Sequence, residues 1–245
     1  MFKYCFLLLV LSGQTCFGKL PSTITPCRRN DPQLEKCIID AVYKLKPKLA
    51  TGDLGEGYQT PALEPLYLDN IEIGNSRQFQ AVFSEIMAYG GSNFRIDKLS
   101  ANASDISYDV SLTLPKIEFT GKYMMRLNIL LLDIQGKGTM EGNFENAKAN
   151  VKMRGTRYLR DGVEYVKFTK MPIRINARQF KLRLNNLFNG DKVLGEVGNR
   201  IINENQELYL KEIIPGLERE LSQKFLMIAN EILETTTFDE MFPTD

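Results

Sequence analysis

The side chains that most often carry out chemistry are scarce in this chain. It contains no His, which removes Ser-His-Asp and Cys-His nucleophiles, HExxH zinc sites and imidazole pH switches together. Of its four Cys, at 5, 16, 27 and 37, the last two are not spaced as CxxC, so a redox pair is not indicated. Two thiols without an imidazole are a poor metal site. A glycosidase needs only two carboxylates, and 30 Asp+Glu are available, but no pair stands out by spacing or surroundings. The expectation is a binding protein rather than an enzyme, with no cofactor and no metal.

The bulk composition agrees. With 25% charged and 43% hydrophobic residues this is an ordinary globular chain. Its 31 Lys+Arg against 30 Asp+Glu leave a net charge of +1, without the basic excess that nucleic-acid binding requires.

The elements that must position any site begin after an address segment. Lys3 precedes the apolar run Cys5 to Leu11, and Ser12 to Gly18 turns small and polar, as in a secretory signal peptide. The run is far shorter than the roughly 20 residues of a membrane span. Cleavage after Gly18 is expected, with residues 1–18 the signal and 19–245 the mature domain. Lys3 is the only charged residue lost, so the mature chain is formally neutral. Cys5 and Cys16 leave with the signal. Cys27 and Cys37 then sit in an oxidising compartment, where a disulfide is expected. As a structural staple closing a short loop it contributes roughly 2–3 kcal/mol. The sequon Asn102-Ala103-Ser104 lies in a polar stretch, Ser100 to Ser107, that reads as a surface turn, and Asn102 is a candidate glycosylation site.

The mature chain divides into helix, sheet and helix. Asp31-Pro32 reads as a cap and first helical residue before Leu34, Ile38, Ala41, Val42 and Leu45, with Pro47 ending or kinking the helix. Residues 51–64 read as an ordered loop. From about Pro65 to Leu184 the apolar period is two, as in Tyr108 to Leu114, Tyr123 to Leu131, Ala149 to Met153 and Ile173 to Ala177. That is the pattern of antiparallel strands with one dry face, and Asp161-Gly162 marks a hairpin turn. Lys148, Lys152, Arg154, Arg174 and Arg178 share the wet faces and read as solvated residues rather than an anion-binding patch. Helical spacing returns after Asn189-Gly190-Asp191 and runs to Ile232, with a kink or break expected at Pro215-Gly216. As one rod, residues 191–234 would span about 66 Å. Such a helix requires an elongated α+β domain whose curved sheet covers its apolar stripe.

Several segments resemble the takeout/juvenile hormone-binding protein family of secreted insect proteins. They are PCRRNDPQLEKCI (Pro26 to Ile38), ALEPLYLDNIEI (Ala62 to Ile73), YDVSLTLPKIEFTGKYMMRLNILLLDIQGKGTMEGNFEN (Tyr108 to Asn146) and LFNGDKVLGEVGNRIINEN (Leu187 to Asn205). Their order covers nearly the whole mature chain. The resemblance implies an α-wrap fold, in which a highly curved antiparallel sheet encloses a long C-terminal helix, as in one half of the bactericidal/permeability-increasing and lipid-transfer proteins. It also implies an internal tunnel for a hydrophobic ligand, with the Cys27–Cys37 disulfide near its mouth. The mature chain lacks the second cysteine pair of true juvenile hormone-binding proteins and looks more like the takeout branch, which argues against juvenile hormone itself as the ligand.

The expected function is therefore that of a secreted, monomeric carrier of a terpenoid, fatty-acid-derived or similar lipid, linked to circadian, feeding or hormone signalling. Expected tunnel-lining residues are Phe83, Phe119, Tyr123, Met125, Leu127, Ile129, Phe180, Ile201, Ile214, Leu217, Leu221 and Phe225, with Tyr123 and Tyr209 as candidate headgroup hydroxyls. The alternative is an extracellular interaction protein with a vestigial or filled cavity, acting through a receptor.

Overall fold

A computed structural model describes residues 20–73, 79–129, 132–177 and 179–244. The expected signal peptide and Arg178 lie outside the described residues. So does the side chain of Ile129.

Helix α1 (Leu34–Thr51) presents the apolar stripe expected of it, but both of its ends differ from the sequence reading. The carboxylate of Asp31 accepts from the Gln33 N–H at 2.7 Å, in a turn before the helix instead of at its cap. Pro47 does not end the element; the carbonyl it leaves without an N–H partner belongs to Tyr43, on the exposed side. The helix stops at Gly52, whose φ of 80° sends its N–H back to the Lys48 carbonyl at 2.8 Å. A Cβ at Gly52 would lie 2.2 Å from the Thr60 carbonyl oxygen, so only glycine fits. The expected loop 51–64 carries a small hairpin, β1 (Asp53–Gly55) with β2 (Tyr58–Gln59).

The eight remaining strands form one antiparallel sheet. They are β3 (Leu66–Ile73), β4 (Phe79–Tyr89), β5 (Arg95–Asn102), β6 (Ser107–Ile129), β7 (Leu132–Arg160), β8 (Val163–Lys170), β9 (Ile173–Asn176) and β10 (Gln179–Leu184). Its spine is the β6–β7 hairpin, in constant register from Ser107↔Arg154 to Ile129↔Leu132. At about 3.3 Å per residue a 23-residue strand would be about 75 Å long if straight, so the ribbon must curl to cover a core. Residues that interrupt ideal strand geometry supply bends. Registers shift in β4 between Ser84 and Met87, where Glu85 has φ 50°, and in β5 between Ile96 and Lys98. Around the tip half of the hairpin the strand order is β3-β4-β6-β7-β10; around the base half β5 lies beside β6, while β8 and β9 lie beside β7. Asp161 and Gly162, at φ 53° and 80°, make the two-residue turn into β8.

Helices α2 (Lys192–Glu204) and α3 (Gln206–Leu233) follow, and α4 (Phe238–Met241) closes the chain. Asp191 caps α2 by accepting from the Leu194 N–H at 2.9 Å, as its position after the Asn-Gly turn suggested. The helical run does break, but at Asn205 (φ −113°, ψ 36°), and α3 passes through Pro215-Gly216 uninterrupted. Asn205 directs its own amide to the Ile201 carbonyl at 2.8 Å, the local competition that disfavours Asn inside helices. Pro215 is tolerated because it and Lys211, whose carbonyl loses its partner, face solvent. Instead of one rod there is a 13-residue helix and a 28-residue helix, the latter about 42 Å long.

Two apolar clusters lie between sheet and helices. The larger, in the tip half, joins β3, β4, β6, β7 and β10 to α2 and α3. The smaller, at the base, joins Tyr108, Val166 and Phe168 to Leu233, Phe238 and Phe242. No helix of the described residues is long and apolar enough to cross a membrane.

Candidate functional site

The residues expected to line an interior converge on the larger cluster. Phe83, Tyr123, Met125, Leu127 and Phe180 are buried members, while Phe119, Ile201, Ile214, Leu217, Leu221 and Phe225 are half-buried and packed against it. The strand residues meet because alternate positions in register share a face: Phe83 opposes Tyr123, Ala81 opposes Met125, and Phe79 opposes Leu127. One aromatic group was missed. Phe144 joins Phe119 and Phe180 in a trio with centroids 4.9 to 6.2 Å apart. Gly142 makes room for it, since a Cβ there would lie 2.5 Å from the Phe119 ring. The signal was present in the alternation Met140-Gly142-Phe144.

The apolar stripe of α3 lies against the larger cluster without being fully buried. Along α3, Ile213, Ile214, Leu217, Leu221 and Phe225 all keep accessible surface although the sheet curls around them.

The helices are held to the sheet by polar residues that the sequence reading also missed. Asn199 accepts from the Leu184 N–H at 2.8 Å and donates to the Leu184 carbonyl at 2.9 Å. Asn203 does the same for Leu182, at 2.9 and 2.7 Å, and Gln206 accepts from the Phe180 N–H at 3.2 Å. Asn199 and Asn203 on α2, and Gln206 at the start of α3, thereby serve alternate residues of β10, so the helices take the place of a neighbouring strand here. Further along, Glu218 accepts from the Ile175 N–H at 2.7 Å and from Arg174 at 2.8 Å. Ser222 accepts from the Ile173 N–H at 3.0 Å, and Asn230 brackets Phe168 in β8 at 2.8 and 3.0 Å. On the opposite margin β3 meets α3 at Gly216, beside Ile73, and Arg219 donates to the Glu72 carbonyl at 3.3 Å. Strands β3, β8 and β9 thus all meet α3, while β10 meets α2 and the start of α3. A groove of ≈ 380 Å³ outside the β10 seam is bordered by the exposed Glu141, Lys181 and Arg183.

The polar groups within are phenols. Tyr123 donates to the Asn185 carbonyl at 2.8 Å, and burial pushes its pKa up to about 12. Tyr209, on α3, is 3% exposed, and its hydroxyl has no hydrogen-bond partner among the described residues. Burial alone raises its pKa, to about 12. Tyr108 at the base also lacks a partner among the described residues, and burial raises its pKa further.

The base is closed by the chain termini. Cys27 and Cys37 form a disulfide with Cα atoms 5.9 Å apart. It ties α1 to a segment whose Cys27 and Arg29 N–H groups donate to the carbonyls of Met241 and Pro243. Arg29 also pairs with Asp239 and stacks over Phe238. Of the wet-face basic residues, Arg154 pairs with Asp109 and Arg174 with Glu218, as solvated strand residues do. Asn102 ends β5 exposed, its amide donating to Asp105 at 2.8 Å, so Ser100 to Asn102 are strand and only the following residues are turn. Among the described residues no group of three or more His, Cys, Asp or Glu is placed to hold a metal ion.

Comparison with known proteins points the same way as this architecture. The chain is 24% identical over 232 residues to the circadian clock-controlled protein daywake of Drosophila yakuba, covering 90% of this chain and 88% of the relative. Against daywake of Drosophila melanogaster it is 24% identical over 233 residues, covering 91% and 88%. The crystal structure of Epiphyas postvittana Takeout 1 superposes with a TM-score of 0.77 at 22% identity, covering 90% of this chain and 100% of that one, which establishes the α-wrap fold. The sequence profile of the haemolymph juvenile hormone binding protein (JHBP) family matches residues 5–243. By the extent of that match, the chain belongs to the haemolymph juvenile hormone binding protein family.

Proposed function

We propose that this protein is a secreted carrier that takes up a small hydrophobic molecule, of terpenoid, fatty-acid-derived or similar lipid character, between the curled sheet and α3. The observation that supports the reading is the half-buried apolar stripe from Ile213 to Phe225, packed against the apolar cluster on the inner face of the sheet. A ligand of about fifteen apolar carbons gains roughly 12 kcal/mol gross at about 0.8 kcal/mol per methylene. Association and ordering remove at least about 4 kcal/mol, which leaves micromolar or tighter affinity within reach.

Secretion is proposed on the leader-like residues 1–18, and the disulfide, which persists in oxidising compartments, is consistent with it. Asn102 is the candidate glycan acceptor. The daywake relatives are described as clock-controlled, and a role in circadian or hormonal output is proposed on that similarity.

The test is uptake of an environment-sensitive apolar fluorophore by the folded protein. A blue-shifted signal that saturates at one equivalent and is displaced by long-chain lipids is expected. An absence of uptake by folded, lipid-stripped protein would overturn the reading.

A further inference from the structure

The buried tyrosines of the two apolar clusters, Tyr108, Tyr123 and Tyr209, are not equivalent. The hydroxyl of Tyr123 already donates to Asn185. Tyr108 belongs to the base cluster, its ring 6.0 Å edge-on from Phe168 and 6.3 Å from Phe242, behind α4 and the disulfide-bonded segment. Tyr209 stands in the larger cluster on the first turn of α3, the helix whose half-buried Ile213 and Leu217 follow it one and two turns on.

A buried hydroxyl without a partner costs free energy, about 1–3 kcal/mol. An ordered water does not remove that cost easily, because a buried water itself needs two to four polar partners. Among the described residues the Tyr209 hydroxyl has no hydrogen-bond partner. A ligand that is apolar except for one acceptor atom would supply the absent partner without adding other polar groups to the cluster.

We propose that Tyr209 is the polar anchor of the ligand site, donating a hydrogen bond to a neutral carbonyl on an otherwise apolar chain that lies along Ile213, Leu217 and Leu221. This rests on the carrier reading and narrows its ligand class to long-chain ketones, esters and aldehydes. A carboxylate is disfavoured, since an ion buried beside one neutral phenol would stay largely uncompensated. Tyr209 is a specificity-determining residue, because an aliphatic chain lacking the carbonyl leaves its hydroxyl unpaired.

The experiment titrates lipid-stripped full-length protein with two chains of matched length, pentadecane and pentadecan-2-one, by displacement of a bound apolar fluorophore. Wild type is compared with Tyr209→Phe and Tyr108→Phe. Loss of an unpaired hydroxyl does not weaken the fold, so unliganded Tyr209→Phe should melt at or above the wild-type temperature. The expected result is that Tyr209→Phe weakens the ketone about five- to tenfold and leaves the alkane within about twofold, while Tyr108→Phe changes neither. Equal effects of Tyr209→Phe on both chains, or selective loss in Tyr108→Phe instead, would overturn the assignment and leave the carrier reading standing. If wild type binds neither chain, the carrier reading falls and this inference falls with it.

Discussion

Replacing Asn199 by Ala should be the most damaging single change on the β10 seam. Its amide satisfies both backbone groups of Leu184, at 2.8 and 2.9 Å, and Leu184 is only 2% exposed. Alanine leaves that N–H and carbonyl buried without partners. The third bond, to the Gly195 carbonyl at 3.1 Å, matters less, because that carbonyl can still take part in the helix. Each unpaired buried group costs about 1–3 kcal/mol, so two orphans give about 3 kcal/mol once partial relaxation is allowed. For a chain of this size that corresponds to a fall of about 6–12 °C in Tm. Circular dichroism at 222 nm during heating measures it. The matched control is Arg183→Ala, which removes an exposed ion pair with Glu196 and should cost under 1 kcal/mol. If Asn199→Ala melts within about 1 °C of wild type, α2 does not substitute for a strand at this edge, and the argument for the seam fails.

Leu221→Trp distinguishes a hollow interior from a filled one. With space along α3 the variant should fold with nearly unchanged Tm and lose lipid uptake, whereas a filled core would make the larger ring cost about 1–3 kcal/mol in denaturant melts. The Cys27→Ser/Cys37→Ser double variant should lose roughly 2–3 kcal/mol, since the bridge constrains only a short loop, and denaturant titration reads the loss. Alkaline pH should destabilise the fold through the buried phenols. Tyr123 and Tyr209 have folded pKa values raised to about 12, so the stability linked to their neutral forms is complete below pH about 10 and disappears as pH climbs toward 12. Absorbance at 295 nm should show these tyrosines ionising only as the protein unfolds; free titration near pH 10 in folded protein would contradict their burial.

Much of the architecture was legible because it is written in periodicity. The alternation of Tyr123, Met125 and Leu127 against Met124, Arg126 and Asn128 does fix which face is dry, and register then brings Phe83 opposite Tyr123. The turn at Asp161-Gly162 and the cap at Asp191 are local and were equally readable. What escaped depended on partners distant in sequence. Asn199, Asn203, Glu218 and Asn230 look like ordinary polar helix residues until β10, β9 and β8 stand beside them. Neither proline ends its helix, because the carbonyls behind Pro47 and Pro215 face solvent, where water replaces the lost bond. Periodicity also cannot separate a residue lining a space from one filling it. Leu217 and Leu221 are half-buried against the larger cluster, a degree of burial that their spacing alone does not set.

The central claim is that the sheet and α3 enclose a site for a hydrophobic molecule. Native mass spectrometry of protein secreted from insect cells, followed by organic extraction, tests it most directly. The account predicts one equivalent of an apolar molecule of defined mass, released on unfolding and carrying a neutral carbonyl. Protein that emerges empty, and stays empty after incubation with long-chain ketones, terpenoids and fatty-acyl lipids, would contradict it.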